Sequence, residues 1–360
     1  MLEEDRLQFL NRSVEVGPTE EFDLGKLEGF LRERFPEAGA GLSVRHFGNG
    51  SSNLTYFVRF GSLDVVLRRP PLSGQANTAH DMGREYQILS RLNQVYTLAP
   101  RALIYCEDLT VLGVPFYLME PIAGIVLTAS KSLETRPLAS KAKQMCKSFI
   151  ENLAALHAVS FVDAGLGDLG KPQGYIERQV NGWIKRYYRS QVESITEVEK
   201  VSSWLSAHIP TRYRGALIHN DYHLGNVVFS SHNVSTLVGV LDWEMCTIGD
   251  PLMDLGTSLS YWVEPQDPEE IQNIGQITPV IPGFVTRREF AELYAERSGQ
   301  SLKEIAFYYA FGLFKTAVIV QQIYYRFQQG FMKDTRFARY FEIARGLILA
   351  AARASERDVV

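Results

Sequence analysis

The stretch Leu217-Ile218-His219-Asn220-Asp221-Tyr222-His223-Leu224-Gly225-Asn226-Val227-Val228-Phe229 is the most informative in the chain. An apolar run delivers a carboxylate, Asp221, and five residues later an amide, Asn226, opens a second apolar run. After the polar turn Ser230–Ser235 the chain returns as Val238-Gly239-Val240-Leu241-Asp242-Trp243. A hairpin of this kind can set Asn226 and Asp242 side by side at its open end, with Asp221 on the loop before them. Two carboxylates and an amide are hard oxygen donors. That set suits Mg²⁺, which keeps several waters and takes its other ligands from substrate phosphates. Singly, each residue has a plainer reading: an Asp near a turn is usually a cap or an Asx turn, and an Asn before a strand is usually turn chemistry. The three together, with apolar flanks, are much harder to obtain by chance.

Upstream, the hydrophobic period switches from helical to two. Leu24, Leu27, Phe30 and Leu31 recur at helix spacing within residues 1–40, and Leu42–Phe47 then reads as a strand. Asn53–Phe60 alternates, with Leu54, Tyr56, Val58 and Phe60 on one face, and Leu63–Arg68 follows the Gly61-Ser62 turn. The pattern is an antiparallel meander, closed by Pro70-Pro71, which cannot continue a ladder. Met82–Leu92 has helical spacing, and two more strands are expected near Ala102–Glu107 and Phe116–Glu120. Beyond Pro121 the character is helical, with helices expected over Ala139–Ala158, Ile176–Ser190, Ile195–Ala207, Arg287–Ser298, Ser301–Gln328 and Asp334–Ala352. The expected division is therefore residues 1–120, β-rich behind a helical start, and residues 121–360, mainly helical with one inserted hairpin.

A chain of 360 residues with 46% hydrophobic and 22% charged residues can bury a large core, which excludes a disordered, collagenous or disulfide-stapled chain. The formal charge of −4 gives no basic surplus, so no nucleic-acid footprint is expected. MLEEDRLQFL at the start has no apolar core of a secretory signal, and no run of about 18 uncharged apolar residues exists. The longest apolar candidate, Tyr308–Val320, is broken by Lys315. No membrane contact and a cytoplasmic location are expected. Cys106, Cys146 and Cys246 lack metal or disulfide spacing and read as buried thiols of a reducing compartment.

The elements His219-Asn220-Asp221-x4-Asn226 and Leu241-Asp242 resemble the catalytic motif of aminoglycoside phosphotransferases and choline-kinase-like enzymes, within the protein-kinase-like superfamily. The resemblance covers about Leu42 to Arg326. It implies an α+β, two-lobed protein-kinase-like fold, with a small antiparallel sheet in the first lobe, a larger helical second lobe, and the active site between them. It implies ATP and Mg²⁺ as cofactors and a small-molecule hydroxyl compound as acceptor. Asp221 would orient the hydroxyl and accept its proton, while Asn226 and Asp242 would hold the metal. Gly48, Asn49, Gly50, Ser51 and Ser52 occupy the loop that covers the ATP phosphates, where backbone N–H groups can hold phosphate oxygens. A hairpin turn uses the same residues. In Val65-Val66-Leu67-Arg68-Arg69 an arginine stands where the family has its phosphate-binding lysine. Arg68 is favoured over Arg69 for the inward position, and a guanidinium forks onto phosphate oxygens. Glu85 is its natural ion-pair partner, and Glu120 lies where backbone groups read the adenine. His219 would hold the loop rather than act as a base, and Asn220 replaces a common glycine, tolerating left-handed angles. Downstream, Asp250 before Pro251 reads as a helix cap and Asp254 as support for the catalytic loop. His157 reads as a packing residue.

Val66-Leu67-Arg68-Arg69-Pro70-Pro71 and Ala79-His80-Asp81-x-x-Arg84-Glu85-Tyr86 resemble a branch that includes kinase-like domains fused to acyl-CoA dehydrogenases. The branch implies a hydroxylated metabolite, such as a hydroxyacyl compound, ahead of an aminoglycoside. Polycationic acceptors call for clustered carboxylates, whereas the end of the chain carries Lys315, Arg326, Lys333 and Arg336, which are alternatively solvated helix faces. Trp183, Tyr187, Tyr261, Trp262, Tyr308, Tyr309, Tyr324 and Tyr325 read as core more readily than as a ligand box. The rival readings are a catalytically weak nucleotide-binding module, a protein kinase, and a metal hydrolase built on His219, Asp221 and His223.

Overall fold

The computed structural model describes residues 14–15, 23–47, 53–71, 81–127, 140–211, 214–273, 278–332 and 334–357. The fold is α+β, with a sheet-bearing part and a helical part. The chain up to Ile125 and the segment Val228–Met245 form one compact unit; Val126–Val227 and the chain from Cys246 onward form the other. The segment Val228–Met245, which carries Asp242, therefore groups with the sheet-bearing unit, although helical segments flank it in sequence.

In the first unit, helix α1 (Leu24–Arg34) starts at Asp23, whose carboxylate accepts the N–H groups of Gly25 and Lys26. The sheet runs in the order β1-β2-β3-β4-β6-β5, all neighbours antiparallel. Its strands are β1 (Val14–Glu15), β2 (Leu42–His46), β3 (Leu54–Phe60), β4 (Leu63–Arg69), β5 (Ala102–Cys106) and β6 (Phe116–Met119). The meander β2-β3-β4 follows the alternation: Tyr56, Val58 and Phe60 share a buried cluster with Val65, Leu67, Phe116 and Leu118, closed by Leu27 and Leu31 of α1. Phe57, on the opposite face, is buried as well. The strand β1 is new relative to the sequence reading, since two residues are too few to show a period. Helix α2 (Met82–Leu92) is capped by Asp81, and α3 (Leu109–Leu112) is a single turn.

The second unit holds α4 (Ala142–Ala158), α5 (Tyr175–Arg189), α6 (Glu197–Ala207), α7 (Pro251–Ser260), α8 (Glu269–Gln272), α9 (Arg287–Ser298), α10 (Ile305–Gln328) and α11 (Tyr340–Arg357). Strands β7 (Ala216–Ile218) and β10 (Thr247–Gly249) pair antiparallel on either side of residues 219–246. The expected hairpin is β8 (Val227–Phe229) with β9 (Leu237–Val240). Every residue of α7 is buried. It crosses α10 at van der Waals contact of the backbones: a Cβ on Gly256 would lie 2.0 Å from the Tyr308 carbonyl oxygen, and one on Gly312 2.0 Å from that of Gly256. Gly312→Ala gains helix propensity of about 1 kcal/mol, yet the clash must push two buried helices apart. A net loss of about 2–3 kcal/mol is expected in denaturant unfolding; an unchanged midpoint would show that the crossing is not tightly packed.

The three cysteines are free and buried. Of the aromatic residues singled out above, Trp183, Tyr187, Trp262, Tyr308, Tyr309 and Tyr324 are core side chains. Among the described residues, no helix is long and apolar enough to cross a membrane.

Candidate functional site

In the helical unit, the segment after β7 is held by Asp254, a fully buried carboxylate of α7. Its Oδ2 accepts the His219 N–H at 2.6 Å, and its Oδ1 accepts the Asn220 N–H at 2.8 Å. His157 Nε2 lies 3.1 Å from the same Oδ2, and its Nδ1 lies 2.7 Å from Tyr294 Oη. Burial pushes the Asp254 carboxyl up, but His157, His219 and the backbone donors outweigh it and hold it below the usual range. His157 is thus a hydrogen-bonded link behind the loop as well as a packing residue.

Asn220 adopts φ 68°, the left-handed region that Asn tolerates better than most residues. The turn presents Asp221, whose own N–H donates to His219 Nδ1 at 3.2 Å. His219 is fully buried, and that nitrogen is committed to the backbone. The Asp221 carboxylate accepts Asn226 Nδ2 at 2.9 Å, and the same amide donates to the Asp221 carbonyl at 3.0 Å. This fixes the Asn226 side chain with its amide N–H groups toward Asp221, leaving its oxygen as the donor available to a cation. His223 Nε2 lies 3.5 Å from Asp221 Oδ2, and its ring lies tilted against that of Tyr261, with centroids 4.6 Å apart. Burial raises the Asp221 carboxyl, but His223, Lys315 and His219 hold it well below the ordinary carboxylate range. It is an ionised acceptor at neutral pH. The Tyr261 hydroxyl is kept protonated by burial and by the Asp221 charge.

In the sheet-bearing unit, β4 aims Arg68 and Arg69 to opposite faces. Arg69 bonds Tyr56 Oη at 3.0 Å and lies over that ring. Arg68 Nη1 reaches Glu85 Oε1 at 3.0 Å, and its Nη2 reaches Asp242 Oδ1 at 2.6 Å and Glu244 Oε2 at 3.4 Å. Glu85 is 1% exposed and also accepts the Trp243 N–H at 3.2 Å. Burial lowers the Arg68 pKa, but Asp242 and Glu85 override it and keep the guanidinium charged. Burial, with Asp242 in support, pushes the Glu85 carboxyl up against the pull of Arg68. Asp242 also has left-handed backbone, φ 67°, and its side chain is 35% exposed. One guanidinium therefore faces three carboxylates, Glu85, Asp242 and Glu244, leaving an excess of negative charge. The carboxylate oxygens of this cluster are donors of the kind that fit a hard divalent cation such as Mg²⁺. Among the described residues, no cluster of three His, Cys, Asp or Glu side chains could hold a metal.

Two residues at these positions were not foreseen. Glu244 accepts Asn53 Nδ2 at 2.7 Å, and its carbonyl accepts Arg84 Nη1 at 2.9 Å. The only sequence signal was its place two residues after Asp242. Lys315, read above as a cation for the acceptor or for a solvated face, is 2% exposed inside α10, and its ammonium donates to the Asn220 carbonyl. The signal was a lysine interrupting an otherwise apolar helix.

The remaining expectations fall as follows. The Glu120 N–H donates to the Arg101 carbonyl at 2.9 Å, and its carboxylate pairs with exposed Arg101 at 2.6 Å. Asp250 caps α7 through the Leu252 N–H at 2.8 Å and accepts Tyr308 Oη at 2.9 Å. Arg326 and Arg336 are exposed. Gly48, Asn49, Gly50, Ser51, Ser52, His80 and Lys333 lie outside the described residues.

Known proteins resemble the chain over most of its length. A family model described as "Phosphotransferase enzyme family" matches residues 43–290. Acyl-CoA dehydrogenase family member 11 of Rattus norvegicus is 32% identical over 325 residues, which is 88% of this chain and 41% of that protein. The chain thus spans about two-fifths of the length of such relatives. A crystal structure from Ralstonia eutropha, provisionally named an aminoglycoside phosphotransferase, superposes with a TM-score of 0.77 at 28% identity, covering 93% of this chain and 99% of that one. A thermostable variant of aminoglycoside phosphotransferase APH(4)-Ia, in ternary complex with AMP-PNP and hygromycin B, has the same fold at TM-score 0.59 and 15% identity, covering 91% and 98%.

Proposed function

Because the chain belongs to the phosphotransferase enzyme family, we propose that it moves the γ-phosphoryl group of ATP to a hydroxyl of a small molecule. The observation that carries this reading is the ion-pair chain Glu85–Arg68–Asp242. It holds a permanently charged guanidinium, able to meet phosphate oxygens, beside a half-exposed carboxylate able to meet a cation. Phosphoryl transfer requires alignment and charge neutralisation more than covalent help from protein. Arg68, fixed by Glu85, contacts the phosphates in this reading. Asn226 and Asp242 are the oxygen donors assigned to Mg²⁺, which when bound neutralises phosphate charge. Asp221, ionised and anchored by Asn226, orients the acceptor hydroxyl and takes its proton.

The acceptor assigned is a neutral or anionic hydroxylated metabolite, a hydroxyacyl compound in particular, in a protein of the cytoplasm. Two observations support it. The relatives at 32% identity are acyl-CoA dehydrogenase family members. Arg186, exposed and without a carboxylate partner among the described residues, lies over Trp183 at 4.5 Å, a poor surface for a polycation. A library of hydroxyacyl compounds, simple alcohols and aminoglycosides, screened for Mg·ATP-dependent phosphorylation, tests the reading. Phosphorylation confined to aminoglycosides would overturn the acceptor class, and tight Mg·ATP binding without turnover on any acceptor would favour a catalytically weak nucleotide-binding module. The Arg68–Asp242 contact, which ties up one carboxylate oxygen, is the observation on that module's side.

A further inference from the structure

Lys315 sits in the middle of α10, between Phe314 and Thr316 and among Phe311, Leu313, Ala317 and Val318, all buried. A buried ammonium loses its hydration and is costly unless its donors are satisfied. Burial lowers its pKa to about 8, against the opposing pull of Asp221 and Asp254. An apolar residue would pack this position at less expense, so the charge calls for a reason.

The contacts supply one. The ammonium donates to the Asn220 carbonyl oxygen and lies 3.4 Å from Thr257 Oγ1. Thr257 Oγ1 spends its own proton on the Met253 carbonyl at 2.9 Å, so its lone pairs face the lysine. The third side of the ammonium faces the Trp183 ring at 5.8 Å. The Asn220 carbonyl belongs to the peptide plane that continues into the Asp221 N–H, and that N–H is bound to His219 Nδ1. One rigid plane is therefore gripped at its oxygen by Lys315 and at its nitrogen by His219. The plane follows a residue in the left-handed region, a conformation that persists only where surroundings determine it. The direction of the Cα–Cβ bond of Asp221 is set by that plane.

We propose that Lys315 is a positioning residue for the reaction: its ammonium holds the Asn220–Asp221 peptide plane and, through it, the Asp221 carboxylate. The reaction step rests on the assignment of Asp221 as the proton acceptor; the hold on the loop does not, and the two are tested separately. Lys315→Met keeps the length and packing of the side chain and removes the charge and donors. Lys315→Gln keeps one donor without the charge, and serves if the methionine variant does not fold. Hydrogen–deuterium exchange of the segment 216–226 is the readout independent of activity. We expect exchange at least about tenfold faster in either variant, with the unfolding midpoint retained. Exchange as slow as in the wild type overturns the proposal. With an accepted acceptor, kcat is expected to fall about a hundredfold while KM for Mg·ATP stays within about twofold, since a displacement of about an ångström misaligns the acceptor and leaves the nucleotide contacts alone. Faster exchange with full kcat overturns the role in the reaction. A wild-type chain without turnover on any acceptor, measured beside Asp221→Asn, sinks the proposed reaction instead, and exchange then decides the hold on the loop by itself.

Discussion

Asp242→Asn is expected to abolish Mg²⁺-dependent nucleotide turnover, with a loss of about a thousandfold or more. The substitution isolates charge from shape. Asn tolerates the left-handed backbone that Asp242 adopts at φ 67°, so the turn survives. The Arg68–Glu85 pair remains, because Arg68 uses a different guanidinium nitrogen for each partner. What disappears is one negative charge at the oxygen assigned to the cation. Raising Mg²⁺ should not restore the rate, because an amide oxygen without charge cannot offset the divalent ion's dehydration. The measurement is turnover across a Mg²⁺ titration, with an unfolding curve as control for an intact fold. Full phosphotransfer by this variant would remove Asp242 from the metal site and with it the reading of the Arg68 cluster.

The second large effect concerns stability. Asp254→Asn should cost roughly 3–5 kcal/mol, comparable to breaking a buried charged pair. The wild-type carboxylate accepts from two backbone N–H groups and from His157. An amide placed isosterically turns one of those oxygens into a donor, so at least one buried N–H is left without an acceptor. The pH dependence follows from the sign of the shift. The folded pKa of Asp254 lies below its unfolded value. Its contribution is therefore complete above the unfolded pKa, roughly 3.9, and is lost as pH falls through the folded value. The gap between wild type and variant in urea unfolding should be widest at neutral pH and narrow in acid. A gap that persists unchanged at low pH would show that the carboxylate charge is not what holds His219 and Asn220.

Asp221, Asn226 and Asp242 could be proposed from the sequence because their residue types fall in a local spacing: turn, apolar strand, turn, apolar strand. Glu85 was legible because a helix of fixed period follows a strand whose inward residue is cationic; the pair then closes at 3.0 Å. Arg68 rather than Arg69 was a matter of strand parity, and the sheet register settles which side chain meets Glu85 and which meets Tyr56. Lys315 was misread because a lone lysine looks alike on a solvated face and at a buried carbonyl until the partner is known. Glu244 was missed because its role depends on Asn53, 191 positions away.

The sequence alone therefore determined the main strands and helices and the residue types available for phosphoryl chemistry, since period and spacing are local properties of the chain; the fold class came with the family resemblance of its motifs, and elements as short as β1 left no period to read. Tertiary structure decided which of those side chains are held and by what. The Asp254 brace, the Lys315 grip on the Asn220 carbonyl and the charge excess around Arg68 join residues far apart in sequence. Their strength comes from burial, which removes water from each donor and acceptor and makes its partner obligatory.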